Sequence, residues 1–249
     1  MSFAITHRQQ CTLLGIMALG GSVACHAQTG QHTRDPFSLG FMMSTWSLDA
    51  RSEKIAPDSS TTAIVQFRTP QWRFRLTAPY YFGTAPNGRD LGGLGRLSVG
   101  ADYYRRLDSR TVLTPYARAL VDTGDMPRRV TGGSAAELGI GATHAFGRRW
   151  SATARVGYRF QERTSLHSRT LVPTWELGAG FRPSIHDALQ ISIVNLQTRY
   201  AVLPDARYLA LAWNHGFSPR LSLQFYTTAG LTPTSPDYGV GVGGMFRLD

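Results

Sequence analysis

The chain has 249 residues, 42% hydrophobic and 17% charged, and its 26 basic against 16 acidic side chains give a formal net charge of +10. So high a hydrophobic share excludes a disordered chain, and no run nears the roughly 18 consecutive apolar residues that a spanning helix needs. The 26 glycines and 13 prolines follow no collagen period, and no long 3.6-residue repeat stands out, which leaves an all-β chain.

Residues 1–27 read as a secretory signal. Arg8, with His7, gives a short positive start, Thr12 to Ala24 is apolar, and Cys25-His26-Ala27 puts small residues at the −3 and −1 positions of a cleavage site. A lipoprotein signal is the alternative, with Ser22-Val23-Ala24-Cys25 as the lipid-attachment box. Both cysteines, Cys11 and Cys25, fall in this segment, so no disulfide or thiolate chemistry is expected of the mature chain. Residues 28–37 read as a short periplasmic tail, and 38–249 as a single barrel.

From residue 39 onward, apolar side chains recur with period two. In 150–161 the even positions are Trp150, Ala152, Ala154, Val156, Tyr158 and Phe160, while the odd ones are polar or glycine. Such a segment has one apolar and one wet face, and matches the ~9–11 residues with which a tilted strand crosses a bilayer. Twelve are predicted: 39–48, 61–68, 71–80, 95–107, 111–122, 136–145, 150–161, 174–182, 188–200, 207–214, 220–230 and 238–248. In 188–200 the parity slips near Ile193 and Val194, as a β-bulge would make it. Short connections (69–70, 108–109, 147–148, 183–186, 218–219) alternate with longer ones such as 82–94, 122–133, 162–173 and 231–237. Tight periplasmic turns and longer external loops are the asymmetry of a transmembrane antiparallel β-barrel. A soluble β-barrel would carry its apolar face inside. Against it stand the aromatic residues, which gather at both ends of the apolar faces: Trp72, Trp150, Trp213 and Phe246 near the short turns, Tyr80, Phe160, Trp175 and Tyr238 near the loops.

Charge placement bears on what passes through. By parity, Arg73, Arg75, Arg96, Arg106 and Arg155 point into the lumen and are the expected pore-lining or solute-binding residues. A basic lumen concentrates anions. Arg118, Glu137, Arg159 and Glu176 fall in the outer halves of four consecutive strands and are expected to form an ionic ladder bracing the wall, with Glu137 opposite Arg159. Gly139, Gly141, Gly157, Gly178 and Gly180 recur on the polar face, to let the sheet curve or to admit a large neighbour. No phosphate-binding loop, metal-binding motif or cofactor site is expected. Ser184, His186 and Asp187 crowd one turn, and His167 lies between Ser165 and Ser168 in an external loop. The former converge poorly for nucleophile and base, so no enzyme is expected.

Gly92-Gly93-Leu94-Gly95-Arg96-Leu97-Ser98-Val99-Gly100-Ala101-Asp102 resembles a Gly-Leu-Gly-Asp strand start, and 230–243 resembles the final loop and strand, of outer-membrane barrels of the transporter or MetA-pathway-of-phenol-degradation type. Arg96 stands where that family usually carries Asp, and Phe246-Arg247-Leu248-Asp249 departs from the terminal aromatic that the barrel-assembly machinery reads. The resemblance implies an outer-membrane channel for hydrophobic or aromatic small molecules. Together these readings give a passive channel in the outer membrane of a Gram-negative bacterium. It prefers small anionic solutes, holds no cofactor and no nucleic acid, and has membrane lipid and the barrel-assembly machinery as partners. A closed structural or assembly barrel and an outer-leaflet lipid-modifying enzyme are the alternatives.

Overall fold

A computed structural model of the chain describes residues 37–47, 59–84, 90–125, 133–162, 171–196, 206–232 and 235–248. The signal segment, nearly all of the tail, the end of the predicted 188–200 strand and His167 with its serines lie outside the described residues. The strands are β1 (Phe37–Ser47), β2 (Ser59–Arg68), β3 (Trp72–Thr84), β4 (Asp90–Leu94), β5 (Leu97–Tyr103), β6 (Arg105–Arg106), β7 (Thr111–Val121), β8 (Ala135–Phe146), β9 (Trp150–Gln161), β10 (Leu171–Phe181), β11 (Asp187–Leu196), β12 (Ala206–Gly216), β13 (Leu221–Gly230) and β14 (Tyr238–Arg247). β4, β5 and β6 lie in turn between β3 and β7 and make one crossing, so the sheet has the expected twelve. Each crossing pairs antiparallel with its chain neighbours, and β1 pairs with both β14 and β2, which closes the barrel.

The burial pattern is inverted relative to a soluble protein. In β9, Val156 and Tyr158 are 56% and 52% exposed, while Arg159 is 8% exposed. Large apolar side chains such as Phe41, Ile140, Leu177 and Leu211 line the outside. Only lipid can cover such a band, and it rules out the soluble barrel. At the short-turn end, Trp72 stacks on Phe74 (5.7 Å, 10°) and Trp213 on Phe225 (5.6 Å, 20°), while Trp150 meets Phe181 at 4.5 Å. These rings form the girdle at the membrane surface.

The short turns are tight because a side-chain oxygen or a glycine closes each one. Asp108 accepts from the backbone N–H groups of Arg110 (2.6 Å) and Thr111 (2.8 Å). Ser184 accepts from His186 and Asp187, Ser218 from Arg220 and Leu221, and Thr69 from Trp72. The β8–β9 turn uses Gly147 at φ +70°, where a side chain would be strained.

Two local expectations are corrected. The connection expected over 82–94 is largely strand, because β3 runs on to Thr84 and pairs with β4. The β-bulge expected near Ile193 and Val194 is absent, since over its described residues β11 keeps an unbroken register with both β10 and β12. The sequence parity slips there only because Val194 faces inward and Asn195 outward, where Asn195 accepts a hydrogen bond from Arg207 Nε at 3.1 Å. A bulge does occur at Gly95: three residues, Gly95 to Leu97, oppose the two of β3 between Thr77 and Tyr80. The Gly95 N–H reaches the Pro79 carbonyl at 2.7 Å, and a Cβ there would run into the Tyr81 ring.

The seam between β14 and β1 is thin. Gly239, Gly241 and Gly243 face the lumen and Gly244 faces outward. The Trp46 ring of β1 packs over Gly239, and the Tyr226 ring of β13 lies over Gly241.

Candidate functional site

Strand parity places a group of charged side chains on one inner wall, from β3 to β10. Register aligns them in rows. One row runs Arg73, Asp102, Tyr116, Gly139, Gly157. The next runs Gln66, Arg75, Gly100, Arg118, Glu137, Arg159, and a third pairs Gly141 with Arg155 and Arg155 with Glu176.

Two close ion pairs hold the wall. Arg73 donates from Nε (2.9 Å) and Nη2 (2.8 Å) to Asp102 Oδ2. Arg159 donates from Nε (3.1 Å) and Nη2 (2.7 Å) to Glu137 Oε2. Between them, Tyr116 lies flat against the wall, because Gly139 and Gly157 leave space where a Cβ would strike its ring. The Arg155 guanidinium sits 4.4 Å above that ring and that of Arg118 at 5.4 Å, within cation–π range. Arg155 Nη2 also stands 3.9 Å from Asp102 Oδ1.

The predicted site residues divide accordingly. Arg73, Arg75 and Arg155 share the inner wall, but Arg73 has a carboxylate partner that sequence reading did not assign to it. Arg96 is 1% exposed and donates from Nη1 to the Gly133 carbonyl at 2.9 Å, so it is anchored toward the loop end. Arg106 is exposed two residues before the Asp108 turn, in register with Val112, and lies at the periplasmic rim. Of the predicted ladder, Glu137 and Arg159 pair as expected. Glu176 is in register with Arg155, whereas Arg159 faces Val172. Arg118 shares a row with Glu137, but its guanidinium lies over Tyr116. The ladder is therefore one tight pair flanked by a ring-stacked arginine and an offset carboxylate.

Sequence reading missed the inward aromatics Trp46, Tyr81, Tyr116 and Tyr226. A signal was present, since each packs against a glycine on a neighbouring strand, but register had to be known to read it. On the opposite side β11, β12, β13 and β1 carry no inward charge, only residues such as Ser192, Ala210, Ala212, Thr228 and Ser44, while β14 carries Arg247 at its periplasmic end.

The Ser184, His186 and Asp187 group is a turn cap. Ser184 Oγ donates to Asp187 Oδ2 at 2.6 Å, and the other carboxylate oxygen is met by His215 Nδ1 (2.8 Å) and by Trp213 Nε1 (3.0 Å). The serine hydroxyl is held by the carboxylate, and the imidazole beside it, His215, bonds Asp187 and not Ser184. Among the described residues no group of three or more His, Cys, Asp or Glu is placed to hold a metal ion.

No protein-family model and no curated protein sequence matches the chain. Solved structures do. An outer-membrane channel from Pseudomonas putida F1 superposes with a TM-score of 0.68 at 13% identity, covering 89% of this chain and 100% of that one. The KdgM porin gives 0.60 at 7% identity, over 85% of this chain and 99% of its own, and has been solved in complex with disordered oligogalacturonate. The Pseudomonas putida toluene transporter TodX gives 0.50 at 9% identity, covering 94% and 93%. At these identities the likeness is one of fold, and the fold is that of outer-membrane transporter barrels.

Proposed function

We propose that the protein is a passive channel of the Gram-negative outer membrane for small solutes, with a preference for anions. The observation that carries this reading is the asymmetric lumen. Six guanidinium groups (Arg73, Arg75, Arg96, Arg118, Arg155, Arg159) stand against three carboxylates (Asp102, Glu137, Glu176) on one wall, and the inward positions of β11, β12, β13 and β1 carry no charge. Such a surface raises the local concentration of anions and lowers that of cations. Twelve strands enclose a wider lumen than the eight whose side chains fill a barrel, and rings laid flat over glycines take up little of it. Residues 1–27 serve as the export signal in this reading, and the barrel-assembly machinery inserts the chain. That KdgM is solved with an acidic oligosaccharide is consistent with anionic cargo; aromatic cargo rests on the toluene transporter's fold alone.

The test is the reversal potential in a planar bilayer under a KCl gradient, with folding checked by heat-shifted gel mobility. The expected result is anion selectivity, weakened by Arg75→Gln or Arg155→Gln. A cation-selective current would overturn the anion preference, and no current from folded protein would overturn the channel. The buried Glu137–Arg159 pair favours a second reading, a barrel whose polar lumen serves chiefly to brace it. That reading expects stability without conductance.

A further inference from the structure

Every short turn of the barrel carries an arginine on its inward side. Arg68 ends β2 and Arg106 ends β6, Arg149 and Arg220 stand one residue before β9 and β13, and Arg182 follows β10. Arg247 ends β14 and fills the sixth position, where the seam with β1 replaces a turn. Strand faces alternate, so all six share the lumen side. Arg68 is in register with Arg73 and Arg106 with Val112, and each of the other four adjoins an outward residue in the chain, Trp150, Phe181, Leu221 or Phe246. Arg106, Arg149 and Arg220 are exposed, and the other three are half-buried. Two of the positions set arginines directly opposite each other: the Arg182 N–H donates to the Arg149 carbonyl at 2.8 Å, and the Arg247 N–H to the Arg220 carbonyl at 2.9 Å. Like charges so placed repel, and an anion shared between them offsets that repulsion. Among the described residues, the carboxylates beside these turns are Asp108 and Asp187. Asp108 caps its own turn, and Asp187 is bonded by Ser184, Trp213 and His215 on the outward side. Neither belongs to the inward ring.

We infer that this ring of arginines at the periplasmic mouth binds a short anionic oligomer, a chain with a carboxylate or a phosphate on each unit. Strands lie about 4.8 Å apart, so one turn follows the next along the rim at about 10 Å. A single small anion spans at most one facing pair, whereas a chain of charges reaches two or more positions at once, and linked contacts reinforce one another. Carboxylate and phosphate oxygens also suit guanidinium groups better than chloride does, because they accept directed hydrogen bonds. The ring deepens the channel reading above by naming the class of anion, and rests on that reading for its transport role.

The test uses protein extracted from outer membranes and held in non-ionic detergent at pH 7 and low salt. Titration calorimetry follows the binding of tetraglutamate and of tripolyphosphate, with free glutamate as the control, and chloride current is recorded in bilayers with each probe added to either face. The chains are expected to bind saturably where glutamate does not, and to reduce the current at lower concentration from one face than from the other. A preference for one chain separates carboxylate from phosphate cargo. In about 1 M KCl, where the screening length falls to about 3 Å, binding should be lost. Arg149→Gln/Arg182→Gln and Arg68→Gln/Arg106→Gln, each checked for heat-shifted mobility, should weaken binding about fivefold or more, since each removes two exposed charge contacts, and should remove the difference between the faces. Binding that neither double variant weakens, or no binding of either chain, would overturn the ring, and an anion-selective current alongside that result would leave the channel standing. Arginine-dependent binding by a folded protein that passes no current would do the reverse.

Discussion

Replacing Glu137 with Leu isolates the bracing interaction. Glu137 and Arg159 are 5% and 8% exposed, and a single carboxylate oxygen, Oε2, accepts both guanidinium bonds, at 3.1 and 2.7 Å. Removing one member of a buried pair costs about 3–5 kcal/mol, because the other is left charged without a partner. Leu offers no acceptor, so Glu137→Leu is expected in that range. Gln retains an amide oxygen, so Glu137→Gln is expected to cost about 1.5–3 kcal/mol, the range of hydrogen bonds to charged groups. Arg118, in register with Glu137, adds to the penalty, since both substitutions remove the anion beside it. The double variant Glu137→Leu/Arg159→Met should recover much of the loss, giving a coupling of at least about 1.5 kcal/mol. The assay is urea unfolding in phosphatidylcholine vesicles, scored by the fraction keeping heat-shifted mobility. Single variants within about 0.5 kcal/mol of wild type, with changed ion selectivity, would refute the bracing argument and return Glu137 to the pore.

Three further outcomes are expected. Val156→Arg, on the outer band, should destabilise the barrel by about 2–4 kcal/mol, whereas Thr153→Arg, on the same strand but facing inward, should fold normally; equal unfolding midpoints would contradict the assigned faces. Gly139→Val should cost about 1–3 kcal/mol by overpacking, since its Cβ would stand 2.5 Å from the Val156 carbonyl oxygen and against the Tyr116 ring. The displaced ring would unseat Arg155, and an unchanged reversal potential would argue against that link. The Asp108 carboxyl is held below its ordinary range by the Arg110 N–H, with Thr111 adding to it. Its contribution is therefore present above the unfolded carboxyl's pKa and lost as pH falls through the lower folded value. Asp108→Ala should flatten the stability profile on that acid side, and identical profiles would remove the cap from the account.

The strands were legible because alternation in 71–80 or 150–161 is a direct consequence of the pleat meeting lipid on one side and water on the other. The same rule located Arg73, Arg75, Arg155 and Arg159 on the inner face. It reached a partner only across a short turn, as for Glu137 and Arg159; elsewhere partners depend on register between strands far apart in sequence. Asp102 pairs with Arg73 across 29 residues, and Glu176 lies beside Arg155 only through the register of β10 on β9. The error in 188–200 has a similar origin: an apolar residue facing inward imitates a bulge when the lumen is assumed to be wholly polar. Inward rings such as Tyr116 escaped because aromatic residues were counted toward the girdles, and only their glycine neighbours across the sheet distinguish the two uses.

The glycine-poor strands carry their own side-chain packing into the sheet, but β14 does not. Four of its residues contribute no side chain, and what covers its inner surface is lent by Trp46 from β1 and Tyr226 from β13. Glycine weakens a strand when it stands alone, so β14 depends on rings from both of its neighbours, β13 and β1. The first and last strands thus form a clasp in which each depends on the other: Gly239 leaves the room that the Trp46 ring occupies. A substitution that fills that room would displace the ring while leaving the wall's outer surface unaltered.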